Sequence, residues 1–146
     1  MEICTSGTSG ISAERFFLRL KEAGITSIID TRIHPASQLA GYAKQDSLAF
    51  FAKELLNVEY IHEPLLCPDA EILKSYRNKK LNWIQYKTEY LELLKERELK
   101  SNLDTNNWGQ RPLLLCSEKL PDDCHRKIAA EYLKGLIPGL TSIQHL

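Results

Sequence analysis

Apolar positions along the chain follow two alternating patterns, one typical of strands and one typical of helices. Short apolar runs predict five strands, over residues 1–5, 25–30, 58–62, 112–116 and 141–146. Between these runs, apolar residues three or four positions apart predict helices over residues 12–23, 46–55, 69–77, 81–99 and 123–134. Strands that alternate with helices indicate the α/β class, as a single domain with a mostly parallel sheet flanked by helices.

Individual residue types mark some of these boundaries. Ser12 stands where a helix N-cap is expected, and Gly24 stands at the C′ position, where glycine ends helices in a left-handed conformation. Asp46 is expected to cap the second helix. The longest predicted helix carries an aromatic stripe that predicts a core face, with stacking of nucleic-acid bases as the alternative: Trp83, Tyr86 and Tyr90.

Composition narrows the class of protein further. The 146 residues are 43% hydrophobic and 26% charged, with seven Gly and six Pro, which excludes collagen-like, low-complexity and disordered chains. The length fits one domain over residues 1–146, since domains typically have roughly 100–200 residues. Nineteen basic residues balance nineteen acidic ones, so the chain lacks the basic charge of most nucleic-acid binders. An anionic partner must therefore be held by a local cluster.

The termini and cysteines bear on the cellular compartment. Residues 1–7 contain neither the basic nor the apolar region of a signal peptide, and no stretch approaches the roughly 18 apolar residues of a membrane helix. Four cysteines are sparse for a disulfide framework. We therefore expect a cytoplasmic protein without a membrane partner.

The segment around Cys116 carries the most informative chemistry. A buried strand ends at Cys116, a polar loop with Glu118 follows, and a helix begins with Cys124, His125 and Arg126. Ligands of open α/β sheets bind beyond the carboxyl ends of the strands, and a helix N-terminus there attracts anions. Two cationic residue types in the first turn disfavour the helix unless an anion lies in front of it.

Each member of this segment also has a purely structural interpretation. Cys116 can be a small buried hydrophobic residue. Arg126 can pair with Asp122, Asp123 or Glu118.

Two further segments are predicted to reach the same edge of the sheet. Asp30 ends the second strand and precedes Arg32, so the carboxylate either acts as a base or orienting group, or forms an ion pair that closes the loop. Gly7, Thr8 and Ser9 follow the first strand, where their amides and hydroxyls can hold a phosphate or simply form a turn.

Metal binding is the alternative role for the cysteine and histidine side chains. Cys116, Cys124 and His125 with His62 or His145 match no common zinc spacing. We therefore predict neither a metal nor another cofactor.

These motifs together resemble a family known as domain of unknown function 488. The similarity runs over nearly the whole chain, and its most specific block is Leu-Cys-x-Glu followed by Pro-x-x-Cys-His-Arg, at residues 115–118 and 121–126. The other matching pieces are at residues 5–9, 30–32, 35–37, 41–44, 60–62 and 143–146. The resemblance implies a single α/β domain and these site residues, but no reaction. The chain departs from the family at Thr8, at Ala36 and over residues 64–68.

A looser similarity is to rhodanese-like sulfurtransferases, in which one strand ends in Asp-x-Arg and another in Cys. Asp30, Arg32, Cys116 and Arg126 occupy the corresponding places. The loop after Cys116 lacks glycine and is longer, which disfavours a tight ring of amides around the sulfur.

The leading hypothesis is an enzyme that acts on a phosphate-bearing substrate, either a phosphorylated small molecule such as a nucleotide or a nucleic acid. The predicted catalytic residues are Asp30, Cys116, Glu118 and His125, and the predicted ligand-binding residues are Gly7, Thr8, Ser9, Arg32, Lys44, Cys124 and Arg126. Two alternatives are a non-catalytic module that senses or sequesters a nucleotide-like ligand, and a thiol sulfurtransferase that uses Cys116.

Overall fold

A parallel sheet lies at the centre of the computed structural model, which describes residues 1–118, 122 and 124–146. Within these residues the sheet has five strands in the order β3-β2-β4-β1-β5. The strands are β1 (Glu2–Ser6), β2 (Ser27–Asp30), β3 (Glu59–His62), β4 (Pro112–Leu115) and β5 (Ser142–His145). Each predicted strand is confirmed to within two residues at either end.

Helices connect these strands and cover both faces of the sheet. They are α1 (Ala13–Glu22), α2 (Gln45–Phe51), α3 (Ala70–Arg77), α4 (Trp83–Glu96), α5 (Leu99–Asn102) and α6 (His125–Leu136). Short 3-10 turns occupy Gly41–Ala43 and Pro64–Leu66, and a π-helical turn occupies Ala52–Leu56. The described residues thus form a single α/β domain, as predicted, and no helix among them is both long and apolar enough to cross a membrane.

The core has two halves because neighbouring residues of a strand point to opposite faces. On one face, Ile28 and Leu113 pack against α1 and α2. On the other face, Ile29 and Leu114 pack against α4 and α6. All four residues of β2 and of β4 are buried, as expected for central strands of a parallel sheet. Tyr86 and Tyr90 belong to this second half, which confirms the predicted core face of α4.

The first helix begins and ends at the predicted residues. The Ser12 side chain accepts a hydrogen bond from the amide of Arg15 at 3.2 Å. Gly24 adopts φ +65° and donates to the Lys21 carbonyl at 3.0 Å, while Ile25 donates to the Leu20 carbonyl at 3.2 Å. These paired bonds form a Schellman motif, which requires the left-handed residue that glycine provides without strain.

Other helix boundaries differ from the predictions. Lys44, not Asp46, is the N-cap of α2, because the preceding 3-10 turn delivers an extended residue at Lys44 and Asp46 falls in the first turn. The helix predicted over residues 81–99 ends at Glu96, since Glu98 takes a left-handed φ of 49° and divides it from α5. The predicted start of the last helix, Asp123, lies outside the described residues.

The connections leave a crevice beyond the end of β4. The chain leaves β4 toward α6 on one face, whereas it leaves the neighbouring strands β1 and β2 toward α1 and α2 on the other face. Where neighbouring connections diverge in this way, open α/β sheets bind their ligands.

Candidate functional site

A cavity of about 640 Å³ lies at the carboxyl edge of the sheet. Its floor comes from the residues that follow β1, β2 and β4, and its walls come from the start of α6 and from α3 and α4. Pockets of about 300–1,000 Å³ accommodate ligands of the size of a drug or nucleotide. The crevice is therefore large enough for a small-molecule substrate.

Backbone hydrogen bonds continue the sheet past the ends of its strands. Cys116 donates from its amide to the Ser6 carbonyl at 3.2 Å, and Ser9 donates to the Ser117 carbonyl at 2.9 Å. Thr31 donates to the Leu115 carbonyl from its amide at 3.0 Å and from its hydroxyl at 2.8 Å. The three loops that form the floor are thus tied to one another.

Gly7 contributes to this floor through close packing and does not line the cavity. A Cβ atom at this position would lie 1.5 Å from the Glu118 carbonyl oxygen and 2.7 Å from Nη1 of Arg126. A side chain cannot fit there, so glycine lets the loops after β1 and β4 touch.

The Cys116 sulfur lies against the guanidinium of Arg126. Nη1 of Arg126 is 2.8 Å from Sγ of Cys116 and also donates to the Glu118 carbonyl. Cys116 is 1% exposed and Arg126 is completely buried. Of the partners considered for Arg126, Glu118 contacts it through its backbone oxygen, Asp122 pairs with Lys127 at 3.0 Å, and Asp123 lies outside the described residues.

This arrangement changes the acidity of Cys116. Burial alone would raise the pKa of the thiol, but a hydrogen bond from Cys124 and the positive charge of Arg126 outweigh burial and hold that pKa below its ordinary value. The thiolate is the reactive form of cysteine, so the site favours a nucleophilic sulfur.

Cys124 and His125 complete the wall next to Cys116. Burial and the adjacent Cys116 hold the pKa of Cys124 well above its ordinary value, so Cys116 is the more acidic of the two thiols. Sγ of Cys124 lies 3.8 Å from Nδ1 of His125.

His125 is neutral near neutral pH, because burial lowers its pKa to about 4. Its Nε2 lies 2.9 Å from the Thr31 carbonyl oxygen and 2.9 Å from the Thr31 hydroxyl, which itself donates to Leu115. Nε2 must therefore carry the proton, which leaves Nδ1 as an acceptor facing Cys124.

Asp30 and Arg32 form a buried ion pair beneath the cavity. Arg32 donates from Nη2 to Oδ2 of Asp30 at 2.6 Å and from Nε to Oδ1 at 2.8 Å. Tyr60 donates to the same Oδ2 at 2.5 Å, and Nη1 of Arg32 donates to the Ala43 carbonyl at 2.7 Å. Asp30 does not line the cavity. Of the two roles left open for the Asp30 side chain, this geometry corresponds to the pair that closes the loop.

Seven of the eleven predicted site residues line the cavity: Thr8, Ser9, Arg32, Cys116, Glu118, Cys124 and His125. Gly7, Asp30 and Arg126 are buried beside it, while Lys44 is exposed at the start of α2 and lies outside the lining. The lysine is separated from the site because the chain after Arg32 runs along the rim before it reaches α2.

Sequence reasoning missed the wall that α3 and α4 contribute. Tyr76 and Arg77 line the cavity together with Tyr86, and the rings of Tyr76 and Tyr86 lie 4.7 Å apart. No strand end marks these residues, because they reach the site through the packing of helices. The only available signal was the aromatic spacing of α4, and that spacing also fits a core.

Cys67 lies close to the site but outside it. Its thiol donates to the Arg32 carbonyl at 3.3 Å, and burial raises its pKa to about 12. Over residues 1–118, 122 and 124–146, no group of three or more His, Cys, Asp or Glu side chains is arranged to hold a metal ion.

The fold and the site define a parallel α/β protein with a cysteine–arginine pair at the carboxyl edge of its sheet. A family model described as "Domain of unknown function DUF488" matches residues 12–133. The chain belongs to this family, as the resemblance of its motifs predicted. No curated protein and no solved structure matches the chain.

Proposed function

We propose that this protein is an enzyme that uses the Cys116 thiolate as a nucleophile in sulfur transfer. The observation that carries the proposal is the 2.8 Å contact between Sγ of Cys116 and the buried guanidinium of Arg126. A guanidinium held against a sulfur stabilises its anion, and the effect is strong where water is excluded.

The same contact weakens the hypothesis that Arg126 binds a phosphate. Its Nη1 donates to Cys116 and to Glu118, and the side chain is not part of the cavity lining. The positive charge is thus directed at the sulfur, which faces the cavity.

The proposed reaction begins with a donor that carries sulfane sulfur, such as a persulfide R–S–SH. The Cys116 thiolate attacks the outer sulfur of the donor and forms a new S–S bond. The original S–S bond breaks and the thiolate RS⁻ leaves with the electron pair. Cys116 then carries a persulfide, and the cavity of about 640 Å³ holds the donor and afterwards the acceptor.

Alkylation of the native protein tests this proposal, with Cys67 as a control inside the same molecule. We expect a small alkylating agent to modify Cys116 at neutral pH and to leave Cys67 unmodified, because the Cys67 pKa is about 12. Arg126→Lys should move the alkylation profile of Cys116 to higher pH, because an ammonium replaces the planar guanidinium poorly. Peptide mass spectrometry measures both thiols. If Cys116 reacts no faster than Cys67, or if a persulfide donor leaves no sulfur on Cys116, the proposal is wrong.

A phosphate-bearing substrate is a second candidate, which the position of Arg77 favours. This exposed arginine lines the cavity together with Thr8 and Ser9, and the rings of Tyr76 and Tyr86 lie beside it. The phosphate of a nucleotide can pair with such an arginine, and its base can stack on such aromatic rings.

Thermal shift with nucleotides and short oligonucleotides tests this second candidate. A ligand at a hundred times its dissociation constant stabilises the fold by about 2.7 kcal/mol. We expect the shift to disappear in Arg77→Ala and to persist in Lys74→Ala, which changes an exposed charge on the same helix outside the cavity. Binding without turnover would support a ligand sensor. The absence of any shift would rule out this substrate class.

A further inference from the structure

We propose that Cys124 is a second catalytic cysteine, which releases sulfur from the loaded Cys116 as sulfide by closing an intramolecular disulfide. This inference rests on the proposed function of Cys116 and adds a fate for the transferred sulfur atom.

The two thiols occupy one site. Both residues line the cavity, and Cys124 is 2% exposed. Sγ of Cys116 lies 2.8 Å from Nη1 of Arg126, which is in the first turn of α6, and Cys124 is the N-cap of the same helix, so both cysteines lie at the start of α6. The other two cysteines are elsewhere: Cys4 is in the core under α1, and Cys67 bonds to the Arg32 carbonyl.

The local backbone leaves Cys124 free of the constraints of a helix. It is the N-cap of α6, with an extended conformation of φ −128° and ψ 139°. Its side chain therefore lies outside the regular turns of α6 and lines the cavity. A residue at the N-cap has more allowed side-chain rotamers than a residue inside a helix, where the preceding turn restricts χ1.

A proton acceptor stands next to Cys124. Nδ1 of His125 is 3.8 Å from Sγ of Cys124, and the bonds of Nε2 to Thr31 leave Nδ1 without a proton. The acceptor and the thiol are in consecutive residues, so a small rotation of Cys124 directs its proton to the ring.

The step balances without an external oxidant, because the persulfide supplies the oxidising equivalents. Cys124 gives its proton to Nδ1 of His125, and its sulfur attacks Sγ of Cys116. A new S–S bond joins the two cysteines, the persulfide S–S bond breaks, and HS⁻ leaves with the electron pair. HS⁻ takes the proton from His125 and departs as H₂S. An external dithiol then reduces the disulfide and regenerates both thiols.

The two cysteines have different roles because their surroundings differ: Cys116 accepts the sulfur, and Cys124 releases it. In the resting site the guanidinium of Arg126 contacts the Cys116 sulfur at 2.8 Å, which favours the thiolate at Cys116 over one at Cys124. Loading releases the negative charge with the donor thiolate RS⁻ and leaves a neutral persulfide, –S–SH, on Cys116. Cys124 then faces a sulfur that has become an electrophile.

The test uses the full chain, a glutathione persulfide donor and no reductant. We measure sulfide release and, by mass spectrometry under non-reducing conditions, the state of each cysteine. The wild type should release sulfide and form a Cys116–Cys124 disulfide. Cys124→Ser and Cys124→Ala should keep the persulfide on Cys116 and lose sulfide release. Cys67→Ser, the matched control, should behave as the wild type.

The possible outcomes separate the two proposals. If Cys116 never carries a persulfide in any of these chains, the proposed function itself fails. If Cys116 is loaded but the Cys124 variants release sulfide at the wild-type rate, or the wild type forms no disulfide between residues 116 and 124, only the role of Cys124 is overturned. Loading of Cys116 in the variants also shows that their sites are folded.

Discussion

Replacement of Asp30 by Asn removes a charge from the centre of the fold while it keeps the shape of the side chain. Asp30 is 0% exposed and Arg32 is 3% exposed, and their side chains are 2.6 Å apart. The guanidinium of Arg32 also holds the Ala43 carbonyl, so it cannot turn out to water without breaking that bond. In Asp30→Asn, the arginine therefore stays buried without a counter-charge.

The size of the effect follows from this burial. Removal of one partner of a buried ion pair typically costs about 3–5 kcal/mol, because the remaining charge has lost its hydration and its partner. Tyr60, which donates to Oδ2 of Asp30, then faces a neutral amide in place of a carboxylate. The exposed pair of Lys53 and Glu59 provides a matched control, since surface pairs contribute about 0–1 kcal/mol.

Equilibrium unfolding in urea measures the difference. We expect Asp30→Asn to lower the free energy of unfolding by about 3–5 kcal/mol and Glu59→Gln to lower it by less than about 1 kcal/mol. An Asp30→Asn chain as stable as the Glu59→Gln chain would refute the structural role. If that stable chain had also lost its activity, Asp30 would be a proton-transfer group instead.

Two further predictions concern the floor of the site and its histidine. Gly7→Ala should lower the free energy of unfolding by at least about 1–3 kcal/mol, because the added methyl group meets the Glu118 backbone. Gly41→Ala is the control and should change stability little, because a Cβ atom at residue 41 has nothing within 4 Å. Thermal unfolding compares the two variants, and equal stabilities would contradict the close packing at Gly7. The pKa of His125 is about 4 in the folded protein, below its ordinary value of 6.5. The unfolded chain therefore binds the proton more readily, and stability must fall as the pH decreases from 6.5 to about 4. Urea unfolding across this range should show a shallower fall for His125→Gln than for the wild type, and identical slopes would mean that His125 is not buried as a neutral ring.

The fold was largely predictable because its signals are local. Apolar runs such as residues 112–116 and helix-ending residues such as Gly24 depend on neighbours in the chain, and the parallel sheet then brings the strand ends to one edge. The same logic placed Cys116, Thr8 and His125 at one cavity.

The roles within the site were less predictable, because they depend on which way a side chain turns. Arg126 turns inward to the sulfur and Arg32 turns back to Asp30, although both were predicted to bind the anion of a ligand. Arg77 reaches the cavity through the docking of α3, which no pattern in the sequence encodes locally. Such non-local packing decides whether a cation meets a ligand, a thiol or a carboxylate.

The hydrogen bonds that continue the sheet beyond its strands also affect the dynamics of the site. Ser9, Thr31 and Cys116 lie in loops outside the strands, yet the amide of each donates a hydrogen bond to a backbone carbonyl of a neighbouring segment. Amides bonded in this way exchange with solvent only when the surrounding unit opens. The floor of the cavity should therefore exchange its amide hydrogens as slowly as the central strands, and a ligand should meet a surface that is already ordered.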